Sequence, residues 1–381
     1  MDKKTYIYQY EDWPNFIWDI NKISDLLAEV RNKQGRLIGK MEALGFDLQN
    51  EAFLETLTID ILKSNEIEGI VLNKDEVRSS IAQRLGIDLG GLPPINRNIE
   101  GIVDIMFDAT KNFDKPLTKK RLFSWHYAMF PMGRSGMFEI VVGEWRKDIK
   151  GPMQVVSGAI GKEKIHYEAP PAKVIDNEMS KFLNWFNNKT NIDLVLKASI
   201  AHLWFVTLHP FEDGNGRITR AITDMLLARS DGLPQRFYSM SSQIQKERKS
   251  YYDILEKTQK GRLDITEWIN WFLNTLKKAI ADSENTLSLV IKKHKFWNTY
   301  GTEIKNERQK KILNKLLEGF TGNLTTSKWA KITKCSQDTA LRDIQDLINK
   351  GILIKSQSGG RSTKYELKDV VHKQKNNRNE F

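Results

Sequence analysis

Twelve consecutive residues, His209 to Arg220, hold the side chains of this chain that are best suited to chemistry on a phosphate. They read His-Pro-Phe-Glu-Asp-Gly-Asn-Gly-Arg-Ile-Thr-Arg. A neutral imidazole accepts a proton near pH 7, so His209 suits the deprotonation of a hydroxyl that attacks phosphorus. Asp213 offers a hard carboxylate oxygen of the kind that Mg²⁺ prefers. The segment therefore predicts metal-assisted transfer of a phosphate-linked group.

The same segment also predicts a cradle for phosphate groups. Gly214 and Gly216 carry no side chains, so backbone N–H groups can approach an anion closely there. A helix predicted to begin at Gly216 points its positive N-terminal end toward the same place. Arg217 and Arg220 are one turn apart on that helix, and their guanidinium groups suit successive phosphates. Taken alone, each residue is more often part of a turn, a helix cap or a solvated surface, and only their joint occurrence favours catalysis.

A buried helix is predicted to position this segment. The stretch Leu194 to Leu208 is nearly all apolar, which is typical of a central helix covered on most sides. Such a helix delivers His209 at its C-terminal end. Phe211 is predicted to be a core residue that fixes the following loop rather than a ligand contact. The catalytic groups would therefore be held by the interior of the protein.

The segment resembles the signature of the Fic (filamentation induced by cAMP) family, H-x-F-x-[D/E]-G-N-G-R-x-x-R. Every fixed position is matched, by His209, Phe211, Asp213, Gly214, Asn215, Gly216, Arg217 and Arg220. Family members typically transfer AMP from ATP to a hydroxyl side chain of a target protein and release pyrophosphate. The resemblance implies that His209 is the general base, that Asp213 holds Mg²⁺, that Gly214 to Gly216 form an anion hole, and that both arginines hold the outer phosphates. The related Doc kinases lack these glycines, which favours nucleotidyl transfer over phosphorylation here.

Two further segments are similar to binding elements of the family. Val155 and Val156 resemble the tip of the flap that aligns the backbone of a target by strand addition. An ordinary hairpin is the alternative. Tyr252, Leu255 and Gln259 resemble the pocket for adenine. The alternative is that they are core residues at helical spacing.

A hexapeptide far upstream, Ser-Asn-Glu-Ile-Glu-Gly from Ser64 to Gly69, matches the family's inhibitory motif [S/T]-x-x-x-E-[G/N]. Ser64 and Glu68 share a helix face, and Gly69 would close that helix. A carboxylate against Arg220 would occupy the partner of the γ-phosphate and repel the phosphate, so that ATP binds unproductively. Such hexapeptides are common by chance, and the complete catalytic motif gives this one its weight. In some relatives the same glutamate positions a water for de-AMPylation, which the sequence leaves open.

Along its length the chain predicts a mostly α fold: a helical Fic core with a small β-hairpin flap and a C-terminal winged helix-turn-helix domain. The N-terminal helical region with the inhibitory motif is assigned to residues 1–95 and the catalytic core to 96–285. The winged helix-turn-helix is assigned to 300–370 and a polar tail to 371–381. The helix-breaking run 89–94, Leu-Gly-Gly-Leu-Pro-Pro, marks the first boundary or an exposed loop.

The C-terminal region has the pattern of three short helices and a two-stranded wing. Ser336 is predicted to cap the third helix, which ends at Gly351. The residues predicted to face the interior from that helix are Ala340, Leu341, Ile344, Leu347 and Ile348. The strands of the wing are predicted at 352–354 and 363–365, on either side of a glycine turn.

The C-terminal region also carries most of the positive charge. Residues 301–381 contain 17 Lys and Arg against 9 Asp and Glu, whereas the whole chain has a net charge of +11. A field of this kind suits a polyanion, so DNA binding through residues 305–370 is one expectation. The side chains that could contact DNA are Gln337, Thr339, Arg342, Arg361 and Lys364. Asp338 and Asp343 on the same helix favour the alternative of a protein-docking or dimerisation module.

The sequence lacks the features that mark membrane-spanning, secreted and disulfide-linked proteins. No stretch approaches 18 uncharged apolar residues, so no membrane span is expected. The first six residues have no apolar core of a signal peptide. The chain has a single cysteine, Cys335, which excludes an internal disulfide, fits a reducing cytoplasm and is predicted to be a buried filler. We therefore expect a cytoplasmic protein.

Three functions are compatible with these patterns. The first is an autoinhibited protein adenylyltransferase that uses ATP and Mg²⁺ to modify a Ser, Thr or Tyr hydroxyl of a target protein or of itself. The second is a DNA-binding regulator whose Fic core senses a nucleotide. The third is a Fic variant that uses another nucleoside triphosphate. The target, the trigger that displaces Glu68, and whether the chain forms a homodimer are left open.

Overall fold

The computed structural model describes residues 5–87, 97–158, 162, 164–317, 319–320, 322–356 and 363–368. The fold is mostly helical, as predicted. The described residues divide into two compact units, one of residues 5–87 and 97–284 and one of residues 285–356 and 363–368. The predicted N-terminal region and catalytic core thus share one unit. The predicted break at 89–94 and the tail 371–381 lie outside the described residues.

The first unit is built around a set of α-helices and two small hairpins. The helices are α1 (Ser24–Glu42), α2 (Phe46–Ile67), α3 (Lys74–Leu85), α4 (Arg97–Lys111), α5 (Lys119–Met129), α6 (Ala172–Asn187), α7 (Leu194–Leu208), α8 (Asn215–Asp231), α9 (Met240–Lys246) and α10 (Arg248–Gln259). Helix α11 (Thr266–Tyr300) contributes residues up to 284 to the first unit and later residues to the second. None of the helices in the described part of the chain is both long and apolar enough to cross a membrane.

Helix α7 lies at the centre of the first unit and packs mainly against α8. Every side chain from Val195 to Leu208 is buried, as the apolar composition predicted. Asp193 caps its N-terminus by accepting a hydrogen bond from the backbone N–H of Val195 at 2.8 Å. Because both α7 and the start of α8 are buried, the loop that joins them is held at both ends.

Helix α2 packs against α9, α3, α4 and α8 in the same unit. Asp60, which is only 3% exposed, accepts hydrogen bonds from the Ser239 hydroxyl at 2.5 Å and from the Ser241 backbone N–H at 3.3 Å. Arg248 donates from Nε to the carbonyl oxygen of Ile67 at 2.7 Å, at the last residue of α2. These contacts fix the C-terminal end of α2 against α9 and α10.

The two hairpins follow α5. Strands β1 (Arg134–Ser135) and β2 (Phe138–Glu139) form the first, and β3 (Gln154–Ser157) and β4 (Lys164–Glu168) form the second. The second hairpin confirms the predicted small hairpin between helices, and its register shifts between Val155 and Val156. The first hairpin was not predicted, because two-residue strands are too short to show an alternating pattern.

The second unit contains α12 (Glu307–Leu317), α13 (Thr326–Thr333) and α14 (Gln337–Asn349), followed by β5 (Leu353–Lys355) and β6 (Tyr365–Leu367). The Ser336 side chain accepts from the Thr339 backbone N–H, which confirms the predicted cap of α14. A cluster around Trp329 forms the core of the unit. The order of elements agrees with the predicted pattern, and the assignment to the winged helix-turn-helix class stays a prediction.

Helix α14 corrects two details of the sequence analysis. Leu341 was predicted to be internal but is 49% exposed, because it lies about 100° around the helix from Ala340, on the solvent side. Asp343, which was counted against DNA binding because of its charge, is only 6% exposed. It accepts hydrogen bonds from Arg308 at 2.8 Å and from Asn306 at 2.8 Å. Its charge is therefore directed into the unit.

Contact of the other named residues with DNA stays a prediction. Gln337 and Arg342 are exposed and Thr339 is partly exposed, whereas Arg361 lies outside the described residues. Lys364 is partly buried. Cys335, predicted to be a buried filler, is only partly buried and packs at the edge of the core of the second unit.

Candidate active site

His209 sits at the C-terminal end of α7 in the left-handed conformation, with φ of 49°. Its Nδ1 lies 3.1 Å from the carbonyl oxygen of Val206. Because a carbonyl oxygen can only accept, Nδ1 carries the hydrogen of the neutral ring and Nε2 is the basic nitrogen. Arg146 fixes the backbone here by donating from Nε to the His209 carbonyl at 2.8 Å. Burial lowers the pKa of His209 from its ordinary 6.5, although the bond to Val206 opposes this, so the ring is neutral at pH 7.

Asn215 pins the loop that follows His209. The backbone N–H of Phe211 donates to Asn215 Oδ1 at 2.9 Å, and Asn215 Nδ2 donates back to the Phe211 carbonyl at 2.8 Å. Phe211 is fully buried, as predicted. Gly214 has φ of 81°, and a Cβ there would lie 2.8 Å from Met129 Sδ and 3.0 Å from the Phe130 ring. The glycine is therefore required both by the turn and by the close approach of α5.

Asp213 is the partly exposed carboxylate of the loop, with 43% of its side chain accessible. Its Oδ1 accepts from the Gly214 backbone N–H at 2.5 Å, and its Oδ2 accepts from the Ser135 hydroxyl. In the described part of the chain no cluster of three or more His, Cys, Asp or Glu could hold a metal. A single carboxylate fits Mg²⁺ that takes its other ligands from phosphate oxygens and water.

Arg217 and Arg220 are both nearly buried, at 7% and 2% exposed. The Arg217 guanidinium lies 5.0 Å over the Phe130 ring and 3.8 Å from Asp213. Its Nε is a buried donor without a hydrogen-bond partner among the described residues. A buried, unpaired donor on a cation is costly, and an anionic ligand would satisfy it. The donor set thus suits phosphate oxygens.

Arg220 is held by the end of α2 instead. Its Nε donates to the Ser64 hydroxyl at 2.8 Å, and its Nη2 donates to the Ser64 carbonyl at 2.7 Å and to Glu68 Oε1 at 2.9 Å. Glu68 is the C-cap residue directly after α2, and Gly69 follows with φ of 79°. Ser64 and Glu68 thus contact the same guanidinium group, and their inhibitory role stays a prediction.

Glu68 also reaches over the glycine loop. A Cβ built on Gly216 would lie 2.1 Å from Glu68 Oε1 and 3.2 Å from Arg220 Nη1. The carboxylate therefore occupies the space above Gly216, at the N-terminus of α8. The structure thus brings together His209, Asp213, both arginines and Glu68 around one loop.

The model of the Fic/DOC family matches residues 116–227, which include the whole catalytic loop. This segment is a Fic/DOC domain. A second model, a domain of unknown function named DUF4172, matches residues 6–87, which include Ser64 and Glu68. The resemblance to the Fic family is therefore confirmed.

Curated relatives of the Fic/DOC domain carry names of one enzyme class. A probable protein adenylyltransferase of Aquifex aeolicus is 31% identical over 115 residues, which are 28% of this chain and 36% of that protein. The protein adenylyltransferase Fic of Drosophila virilis is 26% identical over 238 residues, which are 61% of this chain and 38% of that protein. The chain thus spans less than half the length of these relatives.

A solved structure shows the fold. The Fic family protein from Desulfovibrio desulfuricans G20 superposes with a TM-score of 0.52 at 18% identity, covering 91% of this chain and 96% of that chain. At this identity the similarity concerns the fold alone.

His126 on α5 of the Fic/DOC domain is a site residue that the sequence did not indicate. It is fully buried and stacks on Phe211, with ring centroids 4.2 Å apart. The Gly143 N–H must donate to Nδ1 at 3.2 Å, so Nε2 carries the hydrogen and donates to the Asp213 carbonyl at 3.1 Å. Burial lowers the pKa of His126 to about 4. A histidine in an amphipathic helix gives no signal of this contact, because its partners lie far along the chain.

The predicted flap of the domain is a two-stranded hairpin, so the outer edge of β3 has no strand partner among the described residues. Val155 pairs with Tyr167 and Val156 pairs with Ile165, and among the described residues β3 pairs only with β4. Val156 is 47% exposed, whereas Val155 is partly buried. An exposed edge of this kind can accept another strand, and the role of the two valines in docking stays a prediction.

The three residues predicted for the adenine pocket lie on α10 with unequal accessibility. Leu255 and Gln259 are each 5% exposed, and Gln259 Nε2 lies 3.4 Å from the Thr207 hydroxyl. Tyr252 is partly buried, with the Arg248 guanidinium 5.0 Å over its ring. Burial raises the pKa of Tyr252 and nearby Glu68 raises it further. Tyr252 is thus the member of the set with surface left for a base, and the pocket itself stays a prediction.

Proposed function

We propose that this chain is an autoinhibited protein adenylyltransferase that transfers AMP from ATP to a Ser, Thr or Tyr hydroxyl of a target protein. The observation that carries the proposal is the convergence of a neutral imidazole, a carboxylate and two buried guanidinium groups on the loop at Gly216. The names of the curated relatives support the same reaction class.

In the proposed reaction the target hydroxyl attacks the α-phosphorus of ATP. His209 Nε2 takes the hydroxyl proton as the new O–P bond forms. The bond between the α-phosphorus and the bridging oxygen breaks, and pyrophosphate leaves with its electron pair. Asp213 would hold Mg²⁺, which supplies neutralisation of charge on the leaving pyrophosphate. Arg217 and Arg220 bind the outer phosphates through buried, preorganised donors.

Glu68 explains how this activity is restrained. Its carboxylate holds Arg220 Nη2 at 2.9 Å and covers the space over Gly216. A γ-phosphate that enters would lose its guanidinium partner and meet a like charge. ATP then binds with its α-phosphorus away from His209. A carboxylate so placed is also suited to orient a water, so the proposal includes the reverse, hydrolytic removal of AMP.

The test uses the full-length chain with labelled ATP and Mg²⁺ in a cell lysate. Glu68→Gly should raise the labelling of proteins about tenfold or more. The substitution frees Arg220 to bind a phosphate, and a hydrogen bond to a charged group contributes more than about 1.4 kcal/mol of binding free energy. Glu66→Gly is the matched control, since Glu66 pairs with Lys63 at 2.6 Å rather than with Arg220. His209→Ala in the Glu68→Gly background should remove the label from target proteins.

Two further arms decide the details. Labelled GTP, CTP and UTP test whether another nucleoside triphosphate is the donor. Incubation of a labelled target with the wild-type chain and with Glu68→Gly tests removal of AMP, which should need Glu68. If Glu68→Gly yields no label from any of the four nucleotides, the proposed reaction is wrong.

A further inference from the structure

A second group of reactive side chains lies on the flap, outside the catalytic loop. Ser157 on β3 places its hydroxyl oxygen 2.6 Å from Nε2 of His166 on β4. Nδ1 of the same ring lies 2.6 Å from Oε2 of Glu256 on α10. A nucleophile, a base and a group that orients the base thus form one chain of hydrogen bonds. This is the arrangement that activates serine hydroxyls in general.

The direction of the hydrogen bonds follows from Glu256. Its other oxygen accepts from Lys260 Nζ at 2.6 Å, and the bonds from Lys260 and His166 lower the pKa of Glu256. An ionised carboxylate can only accept, so His166 Nδ1 carries the hydrogen. In the tautomer with the hydrogen on Nδ1, Nε2 has a lone pair that can accept from the Ser157 hydroxyl. With the ring in that form, Glu256 holds the base in place for the proton of Ser157.

The position of Ser157 says which electrophile it can meet. Ser157 is exposed and lies at the end of β3, the strand whose other edge is free among the described residues. A free edge strand pairs with an extended segment, and the same edge on a second copy is such a segment. Two β3 strands can pair antiparallel about a two-fold axis, because that contact is self-complementary. The flap of one copy would then receive Ser157 of the other.

We propose that Ser157 is an acceptor of AMP, modified in the active site of a second copy of this chain. The inference rests on the proposed function. The Ser157 oxygen attacks the α-phosphorus of ATP bound by the second copy, and its proton passes to His166 Nε2. The new O–P bond forms as the bond to the bridging oxygen breaks, and pyrophosphate leaves. Ser157 brings its own base, whereas target hydroxyls that lack one depend on His209.

The experiment mixes two full-length variants with ATP and Mg²⁺. Glu68→Gly acts as the donor copy, and a nitrogen-15-labelled His209→Ala acts as the acceptor copy, so that peptides of the two are separated by mass. We expect an added adenylyl group on Ser157 of the acceptor. Adding Ser157→Ala to the acceptor should remove it, and adding His166→Gln should slow it about tenfold or more through loss of the base.

The matched control is Ser124→Ala in the acceptor. Ser124 is also exposed, but its hydroxyl donates to the Lys120 carbonyl at 3.0 Å and has no imidazole partner, so labelling should be unchanged. Label on other residues with Ser157 unmodified, label confined to the donor copy, or an undiminished rate with His166→Gln would each overturn this proposal alone. No label on any residue would remove the proposed function together with it.

Discussion

His209 owes its neutral state at pH 7 to its burial at the end of α7. Burial lowers the pKa of His209, and Glu68 is one of the groups that raise it again. The neutral, proton-accepting ring therefore persists below pH 6.5, and in Glu68→Gly it persists further. We predict that the initial labelling rate of Glu68→Gly falls to half only below pH 6.5. As a control, ATP binding by the Glu68→Gly, His209→Ala double variant is measured at each pH. A midpoint of the labelling rate above pH 6.5 would contradict the assignment of His209 as a base with a lowered pKa.

His126 should make the stability of the chain sensitive to acid. Its pKa is lowered from 6.5 to about 4 by burial, so the unfolded chain binds this proton more readily than the folded chain. The stabilisation is complete above pH 6.5 and is lost as the pH falls toward 4. Between pH 7 and pH 5, titration of His126 lowers the free energy of unfolding by about 2 kcal/mol.

Urea unfolding of wild type and His126→Gln at the two pH values measures this contribution. His126→Gln should be the less stable protein at pH 7, because the stack on Phe211 and the bond to Asp213 are weakened. The difference in free energy of unfolding between the two proteins should be smaller by about 2 kcal/mol at pH 5 than at pH 7. A gap that is the same at both pH values would mean that His126 does not stay neutral.

At the scale of elements, the flap strand β3 should govern the target and not the nucleotide. Val156 is 47% exposed at the free edge. In the Glu68→Gly background, Val156→Asp should lower labelling of target proteins about tenfold, because an apolar contact is replaced by a solvated charge. Affinity for ATP should stay within about twofold. Ile354→Asp is the control, since Ile354 is 41% exposed on strand β5 of the second unit.

The sequence predicts a helix or strand well where burial of the element requires a clear pattern of apolar residues. Helix α7 is predicted over the same residues that the structure shows, because its apolar run is bounded by Asp193 and by the loop at His209. Helix α9, of seven residues, was not singled out, since a short helix shows too few turns of periodicity. Leu341 was misplaced for a related reason: an apolar residue beside a core face looks internal until the neighbouring helices are known.

The residues of the site also fall into those that the sequence predicts and those that it does not. Residues joined by local sequence, from His209 to Arg220, are found by their spacing. Contacts between distant segments are not, except where a motif marks both partners, as for Glu68 and Arg220. His126, Ser135 and Arg146 touch the loop from other elements, and nothing in their own surroundings along the chain indicates it.

At the scale of the whole molecule, the first unit contains every residue of the proposed reaction. Residues 5–87 and 97–284 form that unit, and the second unit has its own core around Trp329. We predict that a Glu68→Gly chain ending after Glu284 stays folded and labels proteins within about twofold of the full-length variant. Circular dichroism checks the fold. A folded but inactive truncation would show that the second unit takes part in catalysis.

The contact between Gly216 and Glu68 has a consequence for how this protein can change by mutation. A single methyl group at position 216 would strike the Glu68 carboxylate and would also intrude where phosphate is to be received. The lack of a side chain at position 216 therefore matters both for the contact with Glu68 and for the proposed binding of phosphate. A substitution at position 216 that displaced Glu68 would also obstruct the proposed phosphate site, so we expect relief of the proposed inhibition to arise by substitution of Glu68 rather than of Gly216.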